Sequence, residues 1–127
     1  MKKVSLIFVL LISFVVSGQS VITNTYLDVP ANEIGKFLQL HKKVVDMSNG
    51  ESRTINIHWV YRHWYGSDHS IMLADIYPNI EAAVKDDFWG ALNANIDKLS
   101  KKEKKEMESV VKEWWSYWNN HTDEIRS

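Results

Sequence analysis

Two runs rich in β-branched and aromatic residues flank a short polar stretch in the middle of this chain. The first is Asn-Ile-His-Trp-Val-Tyr-Arg-His-Trp-Tyr from Asn56, and the second is Ser-Ile-Met-Leu-Ala-Asp-Ile-Tyr ending at Tyr77. Gly66-Ser67-Asp68-His69 lies between them, which is the pattern of a β-hairpin. The rest of the chain is organised around this hairpin. Closing it on that four-residue loop puts Tyr65 opposite Ser70. His63 then faces Met72, Tyr61 faces Ala74 and Trp59 faces Ile76, a nearly apolar side expected to lie under helices. The other side pairs Trp64 with Ile71, Arg62 with Leu73, Val60 with Asp75 and His58 with Tyr77. Arg62 and Asp75 become diagonal neighbours there.

The N-terminus has a different character. Met1-Lys2-Lys3 is followed by an apolar run from Val4 to Val16 broken only by serines, and then by Ser17-Gly18. These are the parts of a secretory signal peptide, residues 1–18, cut between Gly18 and Gln19. The run is short for a membrane span, which takes about 20 apolar residues. Residues 19–127 form one domain, exported to the periplasm or secreted, with no membrane segment after cleavage. With no cysteine in the chain, packing alone must stabilise that domain. Without Lys2 and Lys3 the balance is 13 basic residues against 16 acidic ones. That excludes a nucleic-acid partner, which would require a basic footprint.

Val21 to Val29 has the composition of a strand with two mixed faces, as in the centre of a sheet, and Pro30 ends it. Asn32 is placed to cap a helix from Glu33, with Ile34, Phe37, Leu38, His41 and Val45 on one side and Ser48-Asn49-Gly50 at its end. His41 on that stripe reads as a packed, hydrogen-bonded residue rather than a ligand. Asn79 is placed to cap the next helix, whose stripe is Ile80, Val84, Phe88, Ala91 and Leu92. Ser100 with Glu103 is a capping box that restarts it. Met107, Val110, Val111, Trp114 and Trp118 continue as core, with Trp115 and Tyr117 off the stripe. His121 to Arg126 is a short last strand with His121, Asp123 and Ile125 on one side.

The order strand, helix, strand, strand, split helix, strand predicts an α+β chain. It is expected to form a ferredoxin-like sandwich, βαββαβ, with helices on one face of an antiparallel sheet. The face carrying His58, Val60, Arg62, Trp64, Ile71, Leu73, Asp75 and Tyr77 is too apolar to stay bare in a monomer. A homodimer joined through that sheet face, enclosing a cavity, is the expected solution.

Tyr61-Arg62-His63-Trp64-Tyr65-Gly66-Ser67-Asp68, the strand after it and His121-Thr122-Asp123-Glu124-Ile125 resemble small exported bacterial proteins of the dimeric α/β-barrel superfamily. That superfamily includes cofactor-free monooxygenases acting on polycyclic phenols, haem-degrading enzymes and stress-responsive barrels. The resemblance implies their fold; none of their catalytic motifs is matched residue by residue.

No phosphate loop, nucleotide fingerprint or zinc spacing occurs, so neither cofactor nor metal is expected. His58 and His63 point to opposite sides of one strand and cannot share an ion. The leading candidate site is His58, Arg62, Trp64, Asp75 and Tyr77 in the cavity between sheets. It suits a small hydrophobic or aromatic ligand, with an imidazole able to move a proton. Monooxygenase-like or isomerase-like chemistry on an aromatic molecule would follow. A second candidate cluster is Tyr61, His63, Asp68, His69, His121 and Asp123. The alternative to both is a non-enzymatic interaction module binding a protein or glycan through Trp89, Trp115 and Tyr117, favoured if these stand exposed together on an outer face.

Overall fold

The computed structural model describes residues 18–62 and 69–127. The expected leader up to residue 17, and His63, Trp64 and Asp68 with the rest of the hairpin tip, lie outside the described residues. The elements run β1 (Val21–Leu27), α1 (Ile34–Met47), β2 (Ile57–Arg62), β3 (Ile71–Tyr77), α2 (Ile80–Lys85), α3 (Phe88–Ile96), α4 (Lys101–Ser116) and β4 (Thr122–Arg126). The sheet order is β2-β3-β1-β4, and every neighbouring pair is antiparallel. This is the ferredoxin-like βαββαβ arrangement, with three helices between β3 and β4.

Local chemistry explains most of the boundaries. Asn79 opens α2 by accepting the Ala82 N–H at 2.8 Å, and Asp87 opens α3 by accepting that of Gly90 at 2.9 Å. Asp86 between them is extended, so one expected helix becomes two. Ile80 and Val84 are exposed in consequence, which corrects their assignment to a buried stripe. Ser100 and Glu103 form the expected capping box of α4. Asn32 does not cap α1. The cap position is Glu33, which makes no side-chain cap bond; its N–H donates to the Pro30 carbonyl at 2.8 Å. No helix among the described residues is long and apolar enough to cross a membrane.

The hairpin register differs from the expected one. Arg62 pairs with Ile71, Tyr61 with Met72, Trp59 with Ala74 and His58 with Asp75, a shift of two residues. Side chains alternate with period two, so a two-residue slip leaves both hydrophobic faces intact and alternation cannot detect it. What distinguishes this register is chemical: it sets His58 against its hydrogen-bond partner Asp75.

The two sheet faces are exchanged relative to expectation. Phe37, Leu40 and Val44 of α1, Leu92 and Ile96 of α3, and Met107 and Trp114 of α4 form one core with Leu27, Ile71 and Leu73 of the sheet. The helices therefore cover the side shared by His58, Asp75 and Tyr77. The open side carries Ile57, Trp59 and Tyr61, all exposed, beside half-buried Ile22, Tyr26, Met72 and Ile76. The aromatic rings of β2 read as core but lie on the uncovered face. His58 and Asp75, read as part of a separate face, lie half-buried under the helices as each other's partner.

Candidate functional site

A cavity of about 530 Å³ lies between the sheet and its own helices. Its floor is β2 and β3, its roof is α1 and α4, and indole rings form one wall. His58, Asp75 and Tyr77 of the first candidate cluster line it, and so do His121 and Asp123 of the second. The cavity thus belongs to a single chain and not to a space between two sheets. Arg62 does not reach it: it stands opposite Ile71 at the end of β2, and Asp75 pairs with His58 instead. Tyr61 is on the open face, and His69 lies beside the Tyr26 ring at 5.4 Å. The described members of the second cluster are therefore not assembled as a unit. Among the described residues, no group of three or more His, Asp or Glu is arranged to hold a metal.

A chain of hydrogen bonds runs from α4 through the core to the cavity floor. Trp114 Nε1–H donates to His41 Nδ1 at 3.0 Å. His41 Nε2 meets His58 Nε2 at 2.8 Å, and His58 Nδ1 meets the Asp75 carboxylate. An indole nitrogen is a donor only, and an ionised carboxylate is an acceptor only. His41 must therefore carry its hydrogen on Nε2 and donate it to His58. His58 must carry its own on Nδ1 and donate it to Asp75. Both rings are neutral in this arrangement, an assignment made from the donor and acceptor chemistry.

His41 is 4% exposed and stacks on Phe37 at 5.5 Å. Burial, and secondarily the neighbouring His58, push its pKa down to about 3. Protonating it would also place a hydrogen on Nδ1 against that of Trp114.

A second polar centre closes one end. Arg53 Nε donates to both Asp86 oxygens, at 3.0 and 3.2 Å. The Thr54 N–H donates to Asp86 at 2.7 Å and the Tyr77 hydroxyl at 3.3 Å. The guanidinium also lies over the Phe88 ring at 5.1 Å. Burial alone would raise the Asp86 carboxyl; the Arg53 bond, the Thr54 N–H, the Arg53 charge and Tyr77 together outweigh it and hold it low. Burial, then the Asp75 and Asp86 charges, push the Tyr77 hydroxyl far up, so it is a neutral donor here.

At the other end, His121 Nδ1–H donates to the Trp118 carbonyl at 2.6 Å, and its Nε2 lies 3.3 Å from Asp123. Asp123 in turn accepts from Thr25 at 2.7 Å. Trp115 and Trp118 are stacked at 5.5 Å, and Trp89 meets Trp115 edge-on at 5.2 Å. Trp89 and Trp115 are each more than two-fifths exposed. Tyr117 is separate from them, half-buried with its ring against Phe37.

Sequence reasoning missed Arg53, Asp86 and Trp114 as site residues. Arg53 sits in a connection that reads as polar linker. The Asp86-Asp87 pair inside an apparent helix was the available signal, since two adjacent helix-disfavouring carboxylates mark a break.

No family model matches the chain, and no curated protein matches it. Solved structures do. An EthD-family protein from Bacillus halodurans is 11% identical, with a TM-score of 0.53 over 86% of this chain and 98% of its own. A dimeric protein of unknown function with a ferredoxin-like fold from Bacteroides fragilis is 13% identical, with a TM-score of 0.51 over 87% and 98%. A DABB-family protein with a ferredoxin-like fold from Mesorhizobium loti is 12% identical, with a TM-score of 0.51 over 86% and 97%. At these identities the likeness is one of fold, and the fold of this chain is ferredoxin-like.

Proposed function

We propose that this is an exported homodimer, its leader removed after Gly18, that binds a flat hydrophobic or aromatic small molecule in the cavity of each chain. Proton transfer at the His58–Asp75 pair is the chemistry it performs on that molecule. The observation that carries this reading is the hydrogen-bond chain from Trp114 to Asp75, which ends on the wall of an aromatic chamber of ligand size. Isomerisation and cofactor-free oxygenation of a phenol both begin by removing a proton, so either fits an aromatic wall carrying an oriented carboxylate. Native mass spectrometry of protein gently recovered from the exported fraction tests the reading in one spectrum. The expected result is a chain beginning at Gln19, two chains per particle and one small aromatic molecule per chain. Empty particles, after incubation with a panel of phenols and polycyclic aromatics, would overturn the ligand reading.

The dimer rests on the open sheet face. Ile57 is 41% exposed, Trp59 48% and Tyr61 44%, a patch that water is poorly suited to cover. A second copy presenting the same face would bury it symmetrically, and one fold neighbour is itself dimeric. Trp59→Glu is expected to give a monomer in sedimentation equilibrium without loss of the cavity ligand. A wild-type monomer at the highest soluble concentration would remove this part of the proposal.

The second reading keeps one specific observation. Trp89 and Trp115 also border an outer groove between α3 and α4, beside Asn93, Asp97 and Lys112. Aromatic faces next to polar side chains suit a glycan. Retention on immobilised glycans that is lost in Trp89→Ala would favour the interaction module over the enzyme.

A further inference from the structure

The proposed function leaves open which group accepts the proton and what kind of molecule gives it. We infer that the acceptor is the Asp75 oxygen that His58 does not engage, that the donor is an aromatic O–H or N–H, and that Trp114 is the positioning residue that makes it so. This inference rests on the cavity being a small-molecule site.

A histidine would be the usual choice for such a role, but the bonding here leaves His58 no lone pair to offer. Its Nδ1 already holds a hydrogen, directed at Asp75. Its Nε2 lone pair is filled by the hydrogen of His41. His41 cannot step aside, because it is packed on Phe37 and held by Trp114. Nor can it reverse its tautomer, since the indole hydrogen occupies its Nδ1. The direction of every bond in this relay is thus set by Trp114, its one member that can only donate.

Asp75 is different. One of its oxygens receives the His58 hydrogen, and the other has no hydrogen bond among the described residues. Its side chain is 30% exposed on the cavity wall. The remaining ionisable groups of the wall are committed. Asp86 is held by Arg53, Thr54 and Tyr77. Asp123 accepts from Thr25, and His121 is turned away from a ligand by its Nδ1–H bond to the Trp118 carbonyl, with its Nε2 directed at Asp123 3.3 Å away.

The step balances without a further reagent. The ligand X–H bond breaks, its electron pair stays on X, and the hydrogen passes to Asp75 as an O–H. The same hydrogen can return to another atom of the ligand, which is an isomerisation. The fixed Nδ1–H of His58 keeps the carboxylate oriented throughout. Flat ligands with a weakly acidic phenol or ring N–H are the class this geometry accepts. A ligand carrying a carboxylate would meet a like charge.

Two measurements decide the inference. Long-range proton–nitrogen NMR of the resting protein at neutral pH reads the tautomers with no ligand present. The expected result is Nε2–H for His41 and Nδ1–H for His58. An Nε2–H tautomer at His58 would overturn the proposal. In Trp114→Phe, which keeps an aromatic ring in the core, both imidazoles are expected to lose their single tautomer; unchanged tautomers would show that Trp114 directs nothing.

The second measurement uses 4-nitrophenol, whose absorbance reports its own ionisation. In the resting complex, with Asp75 ionised and accepting a hydrogen bond from the probe O–H, the phenol form persists to a pH at least one unit above that of the free probe, since the hydrogen moves to Asp75 only in the reacting step. In Asp75→Asn that shift is expected to vanish while binding persists. A shift in the opposite sense in the wild type would mean that a neutral imidazole takes the proton and stands as a cation beside the phenolate, and would overturn the assignment. If the tautomers are as expected and no aromatic probe binds, the failure lies with the cavity as a ligand site. The hydrogen-bond directions would then stand as structural, and the acceptor role would fall.

Discussion

Arg53→Met is expected to lower the free energy of unfolding by about 3–5 kcal/mol, the usual result of stripping one partner from a buried ion pair. The Arg53 and Asp86 side chains are only 11% and 7% exposed. Removing the guanidinium leaves a carboxylate among Phe88, Tyr77 and the α2–α3 junction with two weaker donors. Urea unfolding of the single variant and of Arg53→Met/Asp86→Leu checks the cause. If the cost is the stranded charge, the double variant recovers most of it; if both are equally unstable, packing is responsible instead. The pH dependence has a definite sign. The folded Asp86 carboxyl lies below its ordinary value of 3.8, so its contribution is present above pH 3.8 and is lost as pH falls through the folded value. Without Arg53 that acid-side loss is expected to disappear.

The second large effect is at His41. Its folded pKa of about 3 lies below the ordinary 6.5, so the unfolded chain takes up a proton here that the folded chain refuses. Stability from this group is complete above pH 6.5 and falls as pH drops towards 3. By linkage, going from neutral pH to about pH 5 costs roughly 2 kcal/mol. His41→Gln isolates the term, because an amide can still accept from Trp114 and donate to His58 but does not titrate. The variant is expected to be less stable at neutral pH, yet flatter between pH 7 and 5. An equal pH slope in the two proteins would show that the histidine is not the source.

Much of this fold was legible in the sequence because its boundaries are chemical. Asn79, Ser100 with Glu103, and Pro30 mark ends that local bonds dictate. The alternating runs around Gly66 imply a hairpin wherever they occur. The order of elements then leaves few arrangements, and the ferredoxin-like one is found. The hairpin's pairing was not legible, because a slip of two residues changes no hydrophobic face. Which face the helices cover was not legible either. Trp59 and Tyr61 carry more apolar area than His58 and Asp75, and area favours burying them. The outcome is decided by His41 and Trp114, which are far apart in sequence and satisfy the polar pair from above.

The candidate site divides along the same line. His58, Asp75, Tyr77, His121 and Asp123 were named from two strands and a tail, and one cavity collects them all. Arg62 was misplaced because its assignment depended on the register. His41 was read as a packed, hydrogen-bonded histidine, and it is one. What the sequence could not indicate is that its hydrogen bonds make it the middle of a relay.

The crowding of indoles has an optical consequence. Trp89, Trp114, Trp115 and Trp118 lie with ring centroids 5.0 to 6.1 Å apart. At such separations their electronic transitions couple, and excitation is shared rather than confined to one ring. The ultraviolet circular dichroism of this protein should therefore carry an exciton couplet set by the angles between those rings. A guest sliding among them would change the couplet's sign or size, giving the chamber a built-in gauge that needs no added dye.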